Sequence, residues 1–237
     1  EAMSKSKKNV IDPEAIINSY GADAARWFML SDSPPERDIN WSLAGIQGSW
    51  RFCQKIYSLI EQNHELYSIN KEEIKNNVSG EIIKNIHQNL SEITQSIEKF
   101  QMNVAVAKIY EIVNYLSKAN INENKQEVRE SLDILVRVIE PMMPHLAEEC
   151  WSKMGNKTTL TQEPWPEIKD EYLRKEYVNV VIQVNGKRRG EIKVKLGTSE
   201  SDVIKQLDKI KNIKDLLSNN EIKKKIYIPN KIINLVI

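Results

Sequence analysis

A lysine set between two serines near the start of the chain could do phosphate chemistry. The stretch Met3-Ser4-Lys5-Ser6 is polar and is followed by two more lysines, which predicts a surface loop. Displacement at a phosphate builds negative charge on its oxygens, and a flexible ammonium group can follow that charge into the transition state. The small serines allow close approach and offer hydroxyl donors. Because a solvated basic loop would look the same over four residues, the hypothesis depends on the residues that follow.

A cluster of cations far along the chain is the second candidate site. The stretch Val184-Asn185-Gly186-Lys187-Arg188-Arg189-Gly190 places three cations after an Asn-Gly pair, which is typical of a two-residue hairpin turn. Arginine side chains can pair with phosphates or stack on unpaired bases. Residues 178–237 contain 13 Lys and Arg against 6 Asp and Glu, whereas residues 1–177 contain 21 against 27. The basic terminal segment therefore indicates a polyanion partner, and a merely solvated basic edge is the alternative.

The residue types that ligate metals are few and scattered. The sequence predicts no metal site, because neither the histidines (His64, His87 and His145) nor the cysteines have metal-ligand spacing. The two cysteines, Cys53 and Cys150, are predicted to be buried, reduced thiols. Free thiols are typical of a reducing cytoplasm. No stretch is apolar over the length of a membrane span, so we expect no membrane contact.

Two further groups could suggest acid–base chemistry but have simpler interpretations. His145 follows Pro144 at a predicted helix start, where we expect a packing or capping role. Glu148 and Glu149 are adjacent and point to different sides of a helix, which favours a solvated helix face over a carboxylate pair.

The elements that must position these residues are helical over most of the chain. Asp12-Pro13-Glu14 predicts the start of a helix that ends at Gly21, and a second helix follows. Apolar residues recur at spacings of three and four from residue 43 to residue 154, with the last helix beginning at Glu140-Pro141. This pattern predicts an antiparallel helix bundle. Three tryptophans at helical spacing are expected in the core, namely Trp27, Trp50 and Trp151, whereas Trp165, which lies between prolines, is expected to fasten a linker to the bundle.

After residue 177 the apolar period changes to two. Two alternating runs flank the Asn-Gly turn, Ser199 is placed to cap an amphipathic helix, and two short strands follow on either side of Pro229-Asn230. The expected fold class is therefore mainly α, with a helix bundle followed by a small α+β domain of ββαββ order. With 237 residues, the chain is long enough for both cores.

The residues around Lys5 resemble a known family. Met3-Ser4-Lys5-Ser6, continued by Asn9-Val10-Ile11-Asp12-Pro13 and by Tyr20-Gly21-Ala22-Asp23-Ala24-Ala25-Arg26, is similar to the KMSKS loop and following segment of leucyl-tRNA synthetases, which are class I enzymes. The resemblance implies that Lys5 is catalytic and that Met3, Ser4, Lys5 and Ser6 bind ATP. One departure is Ala2, which occupies the position of the family's first signature lysine.

Two later segments extend this resemblance. Phe100-Gln101-Met102-Asn103-Val104-Ala105 and the segment from Pro144 to Trp151 resemble the helical anticodon-stem-binding domain shared by the leucine, isoleucine, valine and methionine enzymes. The hairpin is similar to one in the C-terminal domain of the bacterial leucine enzyme, which lies against the tRNA elbow. The resemblance therefore implies that tRNA is bound by Asn185, Lys187, Arg188 and Arg189.

The resemblance also implies an organisation and a function. The expected parts are the end of a catalytic domain (1–42), an anticodon-binding domain (43–156), a linker (157–177) and a tRNA-elbow module (178–237). The parent protein would be a cytoplasmic, monomeric ligase that activates leucine with ATP and Mg²⁺ and esterifies leucine tRNA, with no DNA partner. We expect this chain to be its C-terminal fragment, beginning at the KMSKS loop and binding no cofactor alone. The alternatives are a stand-alone RNA-binding module and a non-catalytic helical scaffold with a protein-binding tail.

Overall fold

The computed structural model describes residues 3–4, 6–68, 80–120, 124–173, 177–207, 210, 213 and 222–237. The chain divides into two compact units, residues 1–173 and residues 174–237. The described part of the first unit is helical, and the second unit contains a small mixed sheet. This confirms a mainly helical chain with a small α+β segment at its end.

The described helices of the first unit account for most of its length. They are α1 (Pro13–Tyr20), α2 (Ala22–Ser31), α3 (Leu43–Gln62), α4 (Glu65–Ser68), α5 (Glu81–Glu98), α6 (Met102–Leu116), α7 (Lys125–Ile139), α8 (Pro144–Lys153) and α9 (Asp170–Leu173), with a 3₁₀ turn at Leu160–Gln162. Among these helices, none combines the length and apolar character needed to cross a bilayer.

Capping residues decide where several of these helices begin. Asp12 accepts the Glu14 N–H at 3.0 Å and Pro13 occupies the first helical position, so α1 begins where the sequence predicts. The predicted helix start at Glu140-Pro141 is wrong. Helix α7 ends at Ile139, Pro141 lies in the turn that follows, and Pro144 begins α8. Proline occurs both just after helices and at their first position, which is why the sequence did not distinguish the two prolines.

The core of the first unit is built mainly from the aliphatic faces of α3, α5, α6 and α7. Trp27 is fully buried beneath Phe52, and its Nε1 donates to the Tyr110 hydroxyl at 3.0 Å. Trp151 is also buried, so both predictions are confirmed. The prediction for Trp50 is wrong, because this residue is 39% exposed; its ring makes an edge contact with Tyr20. The buried stripe of α3 passes through residues 46, 49, 52, 56, 59 and 60, which leaves position 50 outside it.

The linker follows the surface of α5 and α7. Trp165 Nε1 donates to the Thr94 hydroxyl at 2.9 Å, so this tryptophan fastens the segment after α8 to α5. Lys169 forms an ion pair with Glu130 on α7. Glu148 is not simply a solvated residue, since its carboxylate accepts the Leu160 and Thr161 N–H groups at 3.0 and 3.3 Å. The described residues from Leu160 to Lys169 are therefore held to the helices by specific hydrogen bonds.

His87 on α5 lies buried beneath this linker. It is 1% exposed, its ring stacks on Tyr172, and its Nδ1 accepts the Lys169 N–H at 3.4 Å. Its Nε2 has no hydrogen-bond partner in the part of the chain that the structure describes. Burial lowers the pKa of His87, and the Lys169 charge lowers it further, against smaller opposing effects of Glu130 and Glu171. The folded protein therefore holds this imidazole neutral.

We expect the stability of the first unit to fall below pH 6.5 because of His87. The folded-state pKa lies below the unfolded value of about 6.5, so the unfolded chain binds the extra proton first and stability decreases as pH falls. The loss cannot exceed about 1.4 kcal/mol per pH unit for one group. Urea unfolding at pH 7.5 and 5.5 measures it, with His87→Leu as the non-titrating comparison. Equal losses in the wild type and the variant would contradict this assignment.

The second unit is a four-stranded sheet with one described helix. Its elements are β1 (Tyr177–Val184), β2 (Lys187–Lys195), α10 (Glu200–Leu207), β3 (Lys224–Ile228) and β4 (Ile232–Val236). The spatial order is β2-β1-β4-β3, in which β1 and β4 run parallel and the other neighbours antiparallel. Ser199 accepts the Asp202 N–H at 3.2 Å at the start of α10, as the sequence predicts. Val203 and Leu207 of α10 pack on the alternating apolar residues of one sheet face.

Candidate functional site

The loop before α1 contains a tight turn. Lys5 lies outside the described residues, whereas Ser4 and Ser6 flank it and their hydroxyl oxygens are 3.1 Å apart. The Lys7 N–H donates to the Ser4 carbonyl at 3.2 Å, and the Ser4 N–H donates to Asn9 Oδ1 at 2.8 Å. Asn9 therefore positions the turn. This role of Asn9 was not predicted from the sequence, although asparagine side chains commonly stabilise turns in this way.

Met3 has different surroundings from the two serines. Its side chain lines an apolar groove of about 440 Å³ between the loop and the first two helices, with walls that include Ile11, Ile16, Met29 and Trp41. Met3 remains 47% exposed. Its thioether thus contacts apolar side chains on one side of the loop, while the serine hydroxyls are solvent-accessible on the turn itself.

Tertiary hydrogen bonds attach the segment after the loop to the bundle. Asp23 of α2 accepts the Leu146 N–H at 2.6 Å and lies 2.9 Å from His145 Nδ1, so it caps the N-terminus of α8 from another helix. Arg26 donates to the carbonyls of Pro141 and Met142 at 2.7 and 3.1 Å. The His145 side chain is 77% exposed, so its role is at the helix start and not in packing. These contacts fix α2 against the corner between α7 and α8.

The hairpin of the second unit has the turn that its sequence predicts. Asn185 and Gly186 have φ values of 49° and 77°, as a type I′ turn requires. The Asn185 side chain accepts the Ile237 N–H at 3.0 Å, and the Gly186 N–H donates to Asn234 Oδ1 at 3.0 Å. Asn185, predicted as a tRNA-binding residue, therefore holds the turn against the end of the chain with its side-chain oxygen.

The three hairpin cations are brought together on the surface. Lys187, Arg188 and Arg189 are all exposed, and Arg188 forms an ion pair with Glu191 at 3.0 Å. The pairing register shifts between Ile182 and Gln183, so that Arg189 is an extra residue in β2. This β-bulge was not foreseen, although Gly190 beside it is the kind of residue that often marks one. The hairpin cations and the serine loop belong to different compact units.

Comparisons with known proteins assign the family. Residues 80–207 match the family described as the anticodon-binding domain of tRNA ligase, which is more than half of the chain. This chain belongs to that anticodon-binding-domain family. Residues 1–42, which include the serine loop, match tRNA synthetases of class I for I, L, M and V.

Relatives of this anticodon-binding-domain protein are similar to it over its full length. Leucine–tRNA ligases from Agrobacterium fabrum (strain C58) and Orientia tsutsugamushi (strain Boryong) are 39% and 38% identical over 246 and 239 residues, covering all of this chain and 28% of each relative. A crystal structure of the Agrobacterium radiobacter K84 agnB2 LeuRS-tRNA-LeuAMS ternary complex has a TM-score of 0.82 and 28% identity, covering 99% of this chain and 30% of that one. The chain thus spans just over a quarter of the ligases it matches, and the predicted resemblance to leucyl-tRNA synthetases is confirmed.

The two cysteines of this anticodon-binding-domain protein have raised pKa values. Burial raises the pKa of Cys53 to about 12, with a further contribution from Asp23, and burial also raises the pKa of Cys150 to about 12. Both thiols are free and stay protonated at neutral pH. Cys150 is buried as the sequence predicts, whereas Cys53 is only half-buried. Across the described residues, no group of three or more His, Cys, Asp or Glu could hold a metal ion.

Proposed function

We propose that this chain is part of a leucine–tRNA ligase and that it binds leucine tRNA. The observation that carries the proposal is its similarity, over its whole length, to relatives named leucine–tRNA ligase, together with the 0.82 TM-score to a LeuRS solved with tRNA. The two alternatives, a stand-alone RNA-binding module and a helical scaffold, are not favoured by these matches. In the proposed enzyme, leucine is activated with ATP and esterified to the tRNA in the cytoplasm by a monomer.

The loop at residues 3–8 is the proposed ATP contact. Its two serine hydroxyls are close together and exposed, and Lys7 and Lys8 add exposed cations on the same turn. Such donors suit phosphate oxygens. We propose that Lys5, between the serines in the sequence, stabilises the charge that develops during adenylate formation, and that Mg²⁺ is supplied with ATP. The chain by itself is expected to catalyse no leucine-dependent pyrophosphate exchange.

The finer organisation is part of the same proposal. Residues 1–42 would form the end of the catalytic domain, and residues 43–156 would form the antiparallel helix bundle of a class I anticodon-binding domain. Residues 157–177 would link this bundle to residues 178–237, which would form a ββαββ module for the tRNA elbow. The contacts of Asp23 and Arg26 support a fixed relation between the first two parts.

The hairpin is the proposed tRNA contact of the second unit. Lys187 and Arg189 have exposed side chains at the tip of a rigid turn, and Arg188 is beside them. The segment from residue 178 onward has a net charge of +7. Arginine and lysine on a pre-shaped turn can pair with several phosphates at a small entropic cost.

Changing Lys187, Arg188 and Arg189 together to alanine should weaken binding of leucine tRNA and flatten its dependence on salt. Each lost phosphate contact removes about 0.9 from the slope of log affinity against log salt, so a decrease of roughly 2 to 3 is expected. Fluorescence anisotropy of a labelled leucine tRNA transcript at several salt concentrations measures it.

The matched control removes the same charge elsewhere in the unit. Lys223, Lys225 and Lys231 are exposed and lie in or beside β3 and β4, outside the hairpin of β1 and β2, so their triple alanine variant should change the slope less. Equal effects of the two triple variants would mean that net charge, and not the hairpin, governs binding. If the unmodified chain does not prefer leucine tRNA to heparin, the proposed RNA-binding function fails.

A further inference from the structure

The segment after α8 lies as a strap along the surface of α5 and α7, and we define the strap as residues 160–173. A carboxylate and a hydroxyl hold its first part. Glu148 of α8 accepts the Leu160 N–H at 3.0 Å, and the Thr94 hydroxyl of α5 accepts the Trp165 indole N–H at 2.9 Å. Neither acceptor is an imidazole, the group whose charge ordinarily changes between pH 5 and 8.

The last part of the strap, residues 168–173, is held around His87 of α5. The Tyr172 ring stacks on the imidazole at a centroid distance of 4.9 Å, and the Lys169 N–H donates to its Nδ1 at 3.4 Å. Within this part, α9 is a single helical turn, which is too short to be stable by itself. It therefore depends on these contacts with α5.

The hydrogen bond from Lys169 requires a neutral imidazole. Because Nδ1 accepts, the ring proton lies on Nε2, which has no partner among the residues that the structure describes. A second proton would turn Nδ1 into a donor facing another donor, and it would charge a ring that is 1% exposed. Lys169 opposes that charge, whereas Glu130 of α7 and Glu171 of the strap favour it. Burial has the largest effect, and it lowers the pKa of His87.

We propose that residues 168–173 are a proton-released latch, which detaches from α5 when His87 is protonated while the rest of the first unit stays folded. Water can stabilise the charged imidazole only after the latch has lifted, so proton uptake and opening are linked. The second unit begins at residue 174. Opening therefore lengthens the free chain between Trp165 and that unit. The proposal concerns this tether and does not depend on tRNA binding.

Amide hydrogen exchange of the 237-residue chain at pH 7.5 and 5.5, followed by mass spectrometry, tests the proposal. Rates are expressed as protection factors, which remove the pH dependence of the intrinsic exchange. Protection of residues 168–173 should fall severalfold at pH 5.5 and by at most about tenfold, since one proton changes the opening equilibrium by no more than tenfold per unit below about pH 6.5. This protection should be lower than that of α3 and should not respond to low urea concentrations, because local opening exposes little surface.

Variants separate the proton on His87 from other effects of pH. His87→Asn keeps an acceptor near the position of Nδ1 but cannot gain a proton, so protection of residues 168–173 should be equal at the two pH values. His64→Gln is the matched control, because it removes an exposed histidine and should keep the wild-type response. Lys169→Gln removes the opposing charge and the ion pair with Glu130, so the latch should be less protected than in the wild type already at pH 7.5.

Three results would overturn the latch. The first is equal protection of residues 168–173 in the wild type at both pH values, and the second is the wild-type fall in His87→Asn. The third is exchange of these residues with the same protection and urea dependence as α3, which would mean that the latch opens only when the whole unit unfolds. If His87→Asn melts early, His87→Leu repeats the measurement, and its protection should also be independent of pH. None of these results bears on the proposed tRNA binding.

Discussion

Replacing Glu127 with alanine should lower the free energy of unfolding of the first unit by about 3 kcal/mol. Glu127 lies in the first turn of α7 and is 3% exposed. Its carboxylate accepts N–H groups from Gly80, Ile82 and Ile83 at 3.0, 3.0 and 3.1 Å, which makes it the cap of α5. Gly80, the residue in the N-cap position, has no side chain with which to cap the helix. The alanine variant would leave three N–H groups without this acceptor and remove a negative charge from the positive end of the helix dipole.

Urea unfolding followed by circular dichroism at 222 nm measures this effect. Glu127→Gln should lower the free energy of unfolding less than Glu127→Ala does, because the amide oxygen can still accept a hydrogen bond from the helix. Some stability should still be lost, since the amide NH₂ group faces other donors. Glu130→Ala is the matched control, one turn further along α7, because it removes only a partly exposed ion pair with Lys169. That pair should contribute about 1 kcal/mol or less. A Glu127→Ala protein as stable as the Glu130→Ala protein would show that solvent replaces the missing acceptor.

Replacing Lys5 with alanine in the full-length ligase should slow leucyl-adenylate formation by a factor on the order of 100 to 1,000. The expected decrease follows from the proposed function and from the positive charge of the lysine side chain. Loss of one preorganised electrostatic contact to the developing charge raises the activation barrier by about 3 to 4 kcal/mol. Leucine-dependent ATP–pyrophosphate exchange measures the rate. The decrease should appear in kcat more than in the KM for ATP, because the charge is largest in the transition state.

Lys8→Ala controls for the general loss of positive charge from the loop. Lys8 is exposed and three residues away, and it should have a much smaller effect. Binding of leucine tRNA should change little in either variant, since the proposed hairpin contacts lie in the other unit and neither lysine belongs to the proposed anticodon-binding domain. An exchange rate that is the same in Lys5→Ala and wild-type ligase would remove Lys5 from the mechanism.

Several local features follow from the amino-acid sequence alone. The start of α1 at Asp12-Pro13, the type I′ turn at Asn185-Gly186 and the Ser199 cap each depend on a few neighbouring residues, whose backbone preferences are local. The change of apolar period near residue 177 likewise separates helices from strands. The motif from Met3 to Arg26 and the hairpin were sufficient to indicate the family, because such motifs are recognised from residue types and spacing alone.

Other features were decided only by the tertiary structure. Glu127 caps a helix that begins 46 residues earlier, and Asp23 caps one that begins 121 residues later, so spacing along the chain gives no sign of either contact. Trp50 is a large aromatic residue on a helix, yet it lies outside the buried stripe of α3 and is exposed. Arg189 becomes a bulge residue only through the register of its partner strand. The backbone preferences of residues act over a few neighbours. Burial, capping by a residue of another helix, and strand register are instead set by elements that meet only when the chain folds.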